Sequence, residues 1–98
     1  MKNILFTLAL LVSFISFGQT TLEYFDSGYD KAEAKDYYGA IADYTKAIEI
    51  NPNYAKAYSY RGISKENLGD LNGACADWKK AAELGNTDAA EWVAKQCN

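Results

Sequence analysis

The stretch Asp36-Tyr37-Tyr38-Gly39-Ala40-Ile41-Ala42-Asp43-Tyr44-Thr45-Lys46-Ala47 returns 34 residues later as Asp70-Leu71-Asn72-Gly73-Ala74-Cys75-Ala76-Asp77-Trp78-Lys79-Lys80-Ala81. Aspartate, glycine, two alanines, a second aspartate, a lysine and a third alanine recur in place, and Tyr44 is answered by Trp78. Working outward, Tyr24 matches Tyr58, Gly28 matches Gly62 and Lys31 matches Lys65, while Glu49 and Ile50 meet Glu83 and Leu84 on the far side. Unrelated windows of this size share only about two identities, so the chain is a tandem of units with a helical-repeat period.

Spacing inside a unit predicts two helices that approach closely. Tyr24, Gly28, Ala40, Tyr44 and Ala47 alternate large and small side chains at helical intervals. Gly28 and Ala40 lie about equally far from a break at Lys35 and Asp36, so an antiparallel pair sets them level, and Gly62 with Ala74 repeats the arrangement. Tyr44 and Trp78 fill the space beside them. Asn51-Pro52-Asn53 divides the units, because proline cannot continue the preceding helix. The expected elements are a helix from Leu22 to Ala34, one from Tyr37 to Ile50 capped by Asp36, one capped by Asn53 and running to Leu68, and one capped by Asp70 and running to Leu84. A fifth, from Asp88 to about Cys97, has Asp88 and Glu91 at capping-box spacing and serves as a cap over the last pair.

The pattern resembles the tetratricopeptide repeat. Aromatic, glycine, alanine, aromatic, alanine and proline fall at that family's spacing, although Ser27 and Arg61 stand where the family has a leucine before the glycine. The resemblance implies an all-α fold of two antiparallel helical hairpins, residues 21–54 and 55–88, in a right-handed repeat stack closed by a C-terminal capping helix over 88–98. The second unit ends in Gly85-Asn86 in place of a proline, and the run from Trp78 to Asn86 is similar to the related Sel1-like repeat. In this family the first helix of each unit lines a concave groove that holds a peptide from a partner. Carried onto this chain, that groove is lined by Leu22, Phe25, Tyr29 and Glu33 from the first unit and by Lys56, Ser59, Ile63, Glu66 and Asn67 from the second. Phe25, Tyr29 and Ile63 form an apolar strip, with Lys56 and Glu66 at its rim. A second reading stands beside it, in which Phe25 and Tyr29 shield the first helix from water. The basic and asparagine positions by which some members clamp a terminal carboxylate are not matched.

Met1-Lys2-Asn3 followed by an apolar run from Ile4 to Phe17, with Ser16 and Gly18 flanking the end, reads as an export signal over residues 1–18, cut before Gln19. A membrane anchor is the competing reading, but a span needs about 20 apolar residues and this run is shorter. Stable membrane insertion is therefore not expected after cleavage. Removing Lys2 leaves nine basic side chains against thirteen acidic, a net charge of −4 from residue 19 onward. Such a surface carries no electrostatic footprint for nucleic acid. The expected location is periplasmic or secreted.

Cys75 lies on the apolar stripe of the fourth helix and Cys97 ends that of the fifth. With the turn at Asn86, each is eleven residues from the corner, so antiparallel packing brings them level. An oxidising compartment favours a disulfide between them, the alternative being two small buried hydrophobes. The chain contains no histidine, which removes the commonest general base and metal ligand. No catalytic residue, cofactor or metal site is assigned. Asp26 with Asp30 reads as a solvated helix face. Arg61, facing the second helix, is expected to bridge Asp43 and Asp77. The sequence thus describes a module that binds a protein or peptide; self-assembly into a homo-oligomer is the alternative, and enzymatic turnover ranks third.

Overall fold

The computed structural model describes residues 20–98, which form helices α1 (20–33), α2 (Tyr37–Ile50), α3 (Ala55–Asn67), α4 (Leu71–Glu83) and α5 (Thr87–Gln96). The export signal read at 1–18 lies outside the described residues. Successive helices pack on one another, giving the all-helical repeat stack that the 34-residue period predicts.

Three corners are built by one device. The α1–α2, α3–α4 and α4–α5 turns pass through a left-handed residue, Lys35 (φ 65°), Gly69 (φ 84°) and Gly85 (φ 100°). The next residue closes the old helix: the amides of Asp36, Asp70 and Asn86 donate to the carbonyls of Lys31, Lys65 and Ala81 at 2.8, 2.9 and 3.0 Å. The same residue opens the new one, its side chain accepting from the amides of Gly39, Gly73 and Ala89 at 3.0, 2.9 and 2.8 Å. Lys35 holds a conformation that glycine adopts freely at the matching position, at a cost of roughly 1 kcal/mol.

Two expected caps are corrected. Asn53 does not cap α3; the side chain of Asn51 accepts from the amide of Asn53 at 3.2 Å, and the α3 boundary falls at Tyr54 without a side-chain cap. Asp88 and Glu91 do not form a capping box, because Asn86 takes the capping position and α5 begins at Thr87, leaving Asp88 inside the first turn. The physical reason is the Gly85-Asn86 corner, which repeats the geometry of Gly69-Asp70.

The core has two centres, one per unit. Tyr44 is fully buried with Phe25, Ala40, Ala47 and Ala57 around it, and Trp78 is buried with Ala74, Ala81 and Ala89. Each aromatic contributes roughly 4–6 kcal/mol of gross burial before entropy is counted. Glycines make this possible. A β-carbon at Gly28 would lie 2.7 Å from Tyr44 Cε1, and one at Gly62 would lie 2.5 Å from Trp78 Nε1 and 3.2 Å from the carbonyl oxygen of Ala74. Leu71, at the start of α4, is 42% exposed.

Charged groups repeat with the same period. Asp43 accepts from Ser27 Oγ at 2.6 Å and pairs with Lys31 at 2.9 Å. In the next unit the positions of Ser27 and Lys31 are Arg61 and Lys65, and both hold Asp77: Arg61 by a two-pronged contact at 2.7 and 2.8 Å, Lys65 at 3.1 Å. Arg61 does not bridge to Asp43, which already has partners; its remaining nitrogen donates to Thr45 Oγ1 at 3.1 Å and so ties α3 back to α2. The bond to Asp77 raises the Arg61 pKa, against the opposing effect of burial.

Cys75 and Cys97 form a disulfide, with Cα atoms 5.7 Å apart. It closes a loop of 22 residues and fastens the end of α5 to the first half of α4. Replacing both cysteines by serine is expected to cost on the order of 3 kcal/mol. Amide exchange in α5 should rise before that in α2 or α3; uniform exchange with an unchanged Tm would show that packing alone holds α5.

Gly62→Ala tests the helix approach. Overpacking against Trp78 costs about 1–3 kcal/mol, more than the roughly 1 kcal/mol that alanine gains in helix propensity. The urea midpoint should therefore fall; a raised midpoint would mean that the indole moves aside freely.

Candidate functional site

Helices α1, α3 and α5 are the first helices of successive units, and they present side chains to one open cleft of about 510 Å³. From α1 come Tyr29 and Glu33, from α3 come Lys56, Ser59, Ile63 and Asn67, and Tyr60, Asn86, Asp88 and Trp92 complete the walls with Tyr37 and Tyr44. Six of the nine groove positions carried over from the family resemblance thus lie together. Of the other three, Phe25 does not reach the surface.

Phe25 is 7% exposed. Its ring meets Tyr44, Tyr54 and Tyr60 at centroid distances of 5.6, 5.5 and 5.2 Å, so two tyrosines of the second unit close over it. Its placement in the groove strip is therefore corrected: it belongs to the core. Tyr29, one residue-turn further along α1, is 43% exposed and lies 5.9 Å from Tyr60. Ser59 is buried, and its main-chain oxygen accepts from Trp78 Nε1 at 3.2 Å, so it contributes floor rather than rim. Asn67 turns its amide onto the Ile63 carbonyl of its own helix at 2.9 Å. Leu22 and Glu66 are exposed outside the cleft.

Trp92 was the wall residue with the clearest unused signal. It lies 34 residues beyond Tyr58, packs against Trp78 at 5.3 Å, and is half-buried where α5 meets α4. Tyr60 and Tyr37 had no such marker, since neither has an aromatic at its repeat partner.

The floor carries one unsatisfied group. Tyr44 Oη is buried with no hydrogen-bond partner, the single such side-chain atom among the described residues. Burial holds its phenol well above the ordinary range, and the nearby Tyr60, Tyr29 and Glu33 push in the same direction. It stays protonated, able to donate and to accept. Lys56 has its ammonium 5.8 Å from the centre of the Phe25 ring. Glu33 and Asp88 take part in no ion pair among the described residues, where the acids of the repeat network, Asp43 and Asp77, are both held by lysine or arginine.

Residues 28–69, from the middle of α1 to the end of α3, match the family model of the TPR repeat. That match and the all-helical stack fit the tetratricopeptide repeat. No curated protein matches it. The matched segment contains the Gly28–Tyr44 contact, the Asn-Pro-Asn connection and all of α3, and the internal 34-residue correspondence carries the same geometry through α4. TPR repeats are generally protein–protein interaction modules.

An unsatisfied buried hydroxyl costs about 1–3 kcal/mol. Tyr44→Phe removes it while keeping the ring against Gly28, so thermal unfolding is expected at an equal or higher temperature. A clear drop in Tm would mean that Oη has a partner in solution.

Proposed function

We propose that this TPR protein is exported and works by docking a segment of another protein in the cleft between α1, α3 and α5. The observation that carries the reading is the composition of that cleft: a partly exposed aromatic and aliphatic surface, Tyr29, Tyr60, Ile63 and Trp92, with charged groups at its edges. Exposed aromatics of this kind supply contact area at low conformational cost, which is why they dominate binding hot spots. The Cys75–Cys97 disulfide accords with an oxidising compartment and hence with the export signal read at residues 1–18. Catalysis has little to draw on: the sequence has no histidine, and no cluster of metal-ligating side chains occurs among the described residues.

The test places a photo-crosslinking amino acid at Tyr29 or Ile63 in one set of cells and at Tyr38 in another. Tyr38 is 76% exposed on α2 and lies outside the cleft. A discrete adduct from positions 29 and 63 but not 38 is expected, and it should be lost when Trp92→Ala is combined with either probe. Adducts from Tyr38 alone would move the docking surface to α2. Adducts whose mass is twice that of the chain would favour self-assembly through repeat stacking.

A further inference from the structure

We infer that the cleft is built to receive an arginine side chain, so that the docked partner is an extended segment carrying at least one exposed arginine. This rests on the reading of the cleft as a docking surface and names the chemistry of what enters it.

Three observations converge. The first is charge. Glu33 and Asp88 reach the cleft from α1 and α5, and neither is neutralised by an ion pair among the described residues. Among the described residues the lining holds one cation, Lys56, with its ammonium over the Phe25 ring. Behind Glu33 the exposed face of α1 continues with Glu23, Asp26 and Asp30, while Lys31 on that helix is engaged by Asp43. A cationic segment is drawn to such a face, and an acidic one is repelled.

The second observation is the aromatic wall. Tyr29, Tyr60 and Trp92 line the same cleft as those carboxylates. A guanidinium is planar, more weakly hydrated than an ammonium, and stacks on aromatic faces while its edge donates hydrogen bonds. An ammonium would use the rings less well.

The third is the floor. Tyr44 Oη is a buried oxygen with no hydrogen-bond partner, beneath an otherwise aromatic surface. A guanidinium brings five donors in a fixed fork, more than two carboxylates take up, and a phenolic oxygen is a fitting further acceptor. Asp88 is also favoured by the N-terminus of α5, so its presence alone would say little; that it shares the cleft with Glu33 and the aromatic rings is what points outward.

The experiment uses the full purified protein and nine-residue peptide libraries, degenerate except for a central residue fixed as arginine, lysine, leucine or glutamate. Binding is followed by tryptophan fluorescence and by anisotropy of labelled peptide. The arginine library should bind roughly tenfold more tightly than the glutamate library, with lysine between them, since a charge-assisted hydrogen bond in a partly desolvated site is worth about one decade. The preference should shrink as salt is raised. Glu33→Gln combined with Asp88→Asn should abolish the preference and leave the leucine library unchanged; helical circular dichroism confirms that the variant is folded. Tyr44→Phe should weaken the arginine library severalfold and spare leucine.

A preference below about twofold, or one that survives the double variant, overturns the inference. If crosslinking at Tyr29 captures a partner while arginine is not preferred, the docking surface stands and the arginine assignment falls. If no library binds and cleft probes capture nothing, both fall together.

Discussion

The close approach of paired helices at Gly28 and Gly62 is the constraint on which the rest of the molecule depends. An aromatic ring from the second helix of each unit sits where a β-carbon on the first would be, 2.7 Å away for Tyr44 and 2.5 Å for Trp78. That contact sets how far apart the helices stand, and so which residues of the first helix face the next unit. Because the aromatic is buried inside its own hairpin, its ring offers no wall to the cleft, and Tyr44 adds only its hydroxyl at the floor. The cleft is walled mainly by other rings, from α1, α3 and α5, and this division between packing aromatics and surface aromatics gives the domain both a core and an open cleft.

Electrostatics follow the same repeat. Each unit buries or half-buries one aspartate next to its aromatic and surrounds it with groups from the facing helix: Ser27 and Lys31 for Asp43, Arg61 and Lys65 for Asp77. Removing a single partner would leave a carboxylate short of donors, whereas the pair as a whole has an uncertain net worth. The exchange of Ser27 for Arg61 has a further effect, since the longer side chain also reaches Thr45 and locks the second unit against the first. Acids outside this scheme, Glu33 and Asp88, are therefore available to the cleft.

Much of this was legible in the chain itself. The spacing of Gly28, Ala40 and Tyr44, repeated at Gly62, Ala74 and Trp78, prescribes the hairpins, and the equal distance of Cys75 and Cys97 from Asn86 anticipates their bond. What was not legible depended on neighbours in space. Helical periodicity gives Phe25 a face but cannot show that Tyr54 and Tyr60 close over it. Asn53 has the chemistry of a cap, yet Asn51 engages its amide first. Arg61 lies within conceivable reach of two aspartates, and the occupancy of Asp43 by Ser27 and Lys31 decides between them. The walls of the cleft were read from α1 and α3; α5 counted only as a cover, so Trp92 and Asp88 were missed although α5 opens a third unit.

The disulfide also determines how the domain would carry tension. A pull on Asn98 enters the fold at Cys97 and passes through the sulfurs to Cys75, near the start of α4. The chain between those two residues, which includes all of α5 and the second half of α4, becomes a closed covalent loop that bears none of the load. Force from the C-terminal side is thus delivered to α4 close to its packing on α3, and the wall formed by Trp92 can keep its shape while the terminus is under strain. An anchor or partner attached beyond Asn98 would be mechanically insulated from the cleft.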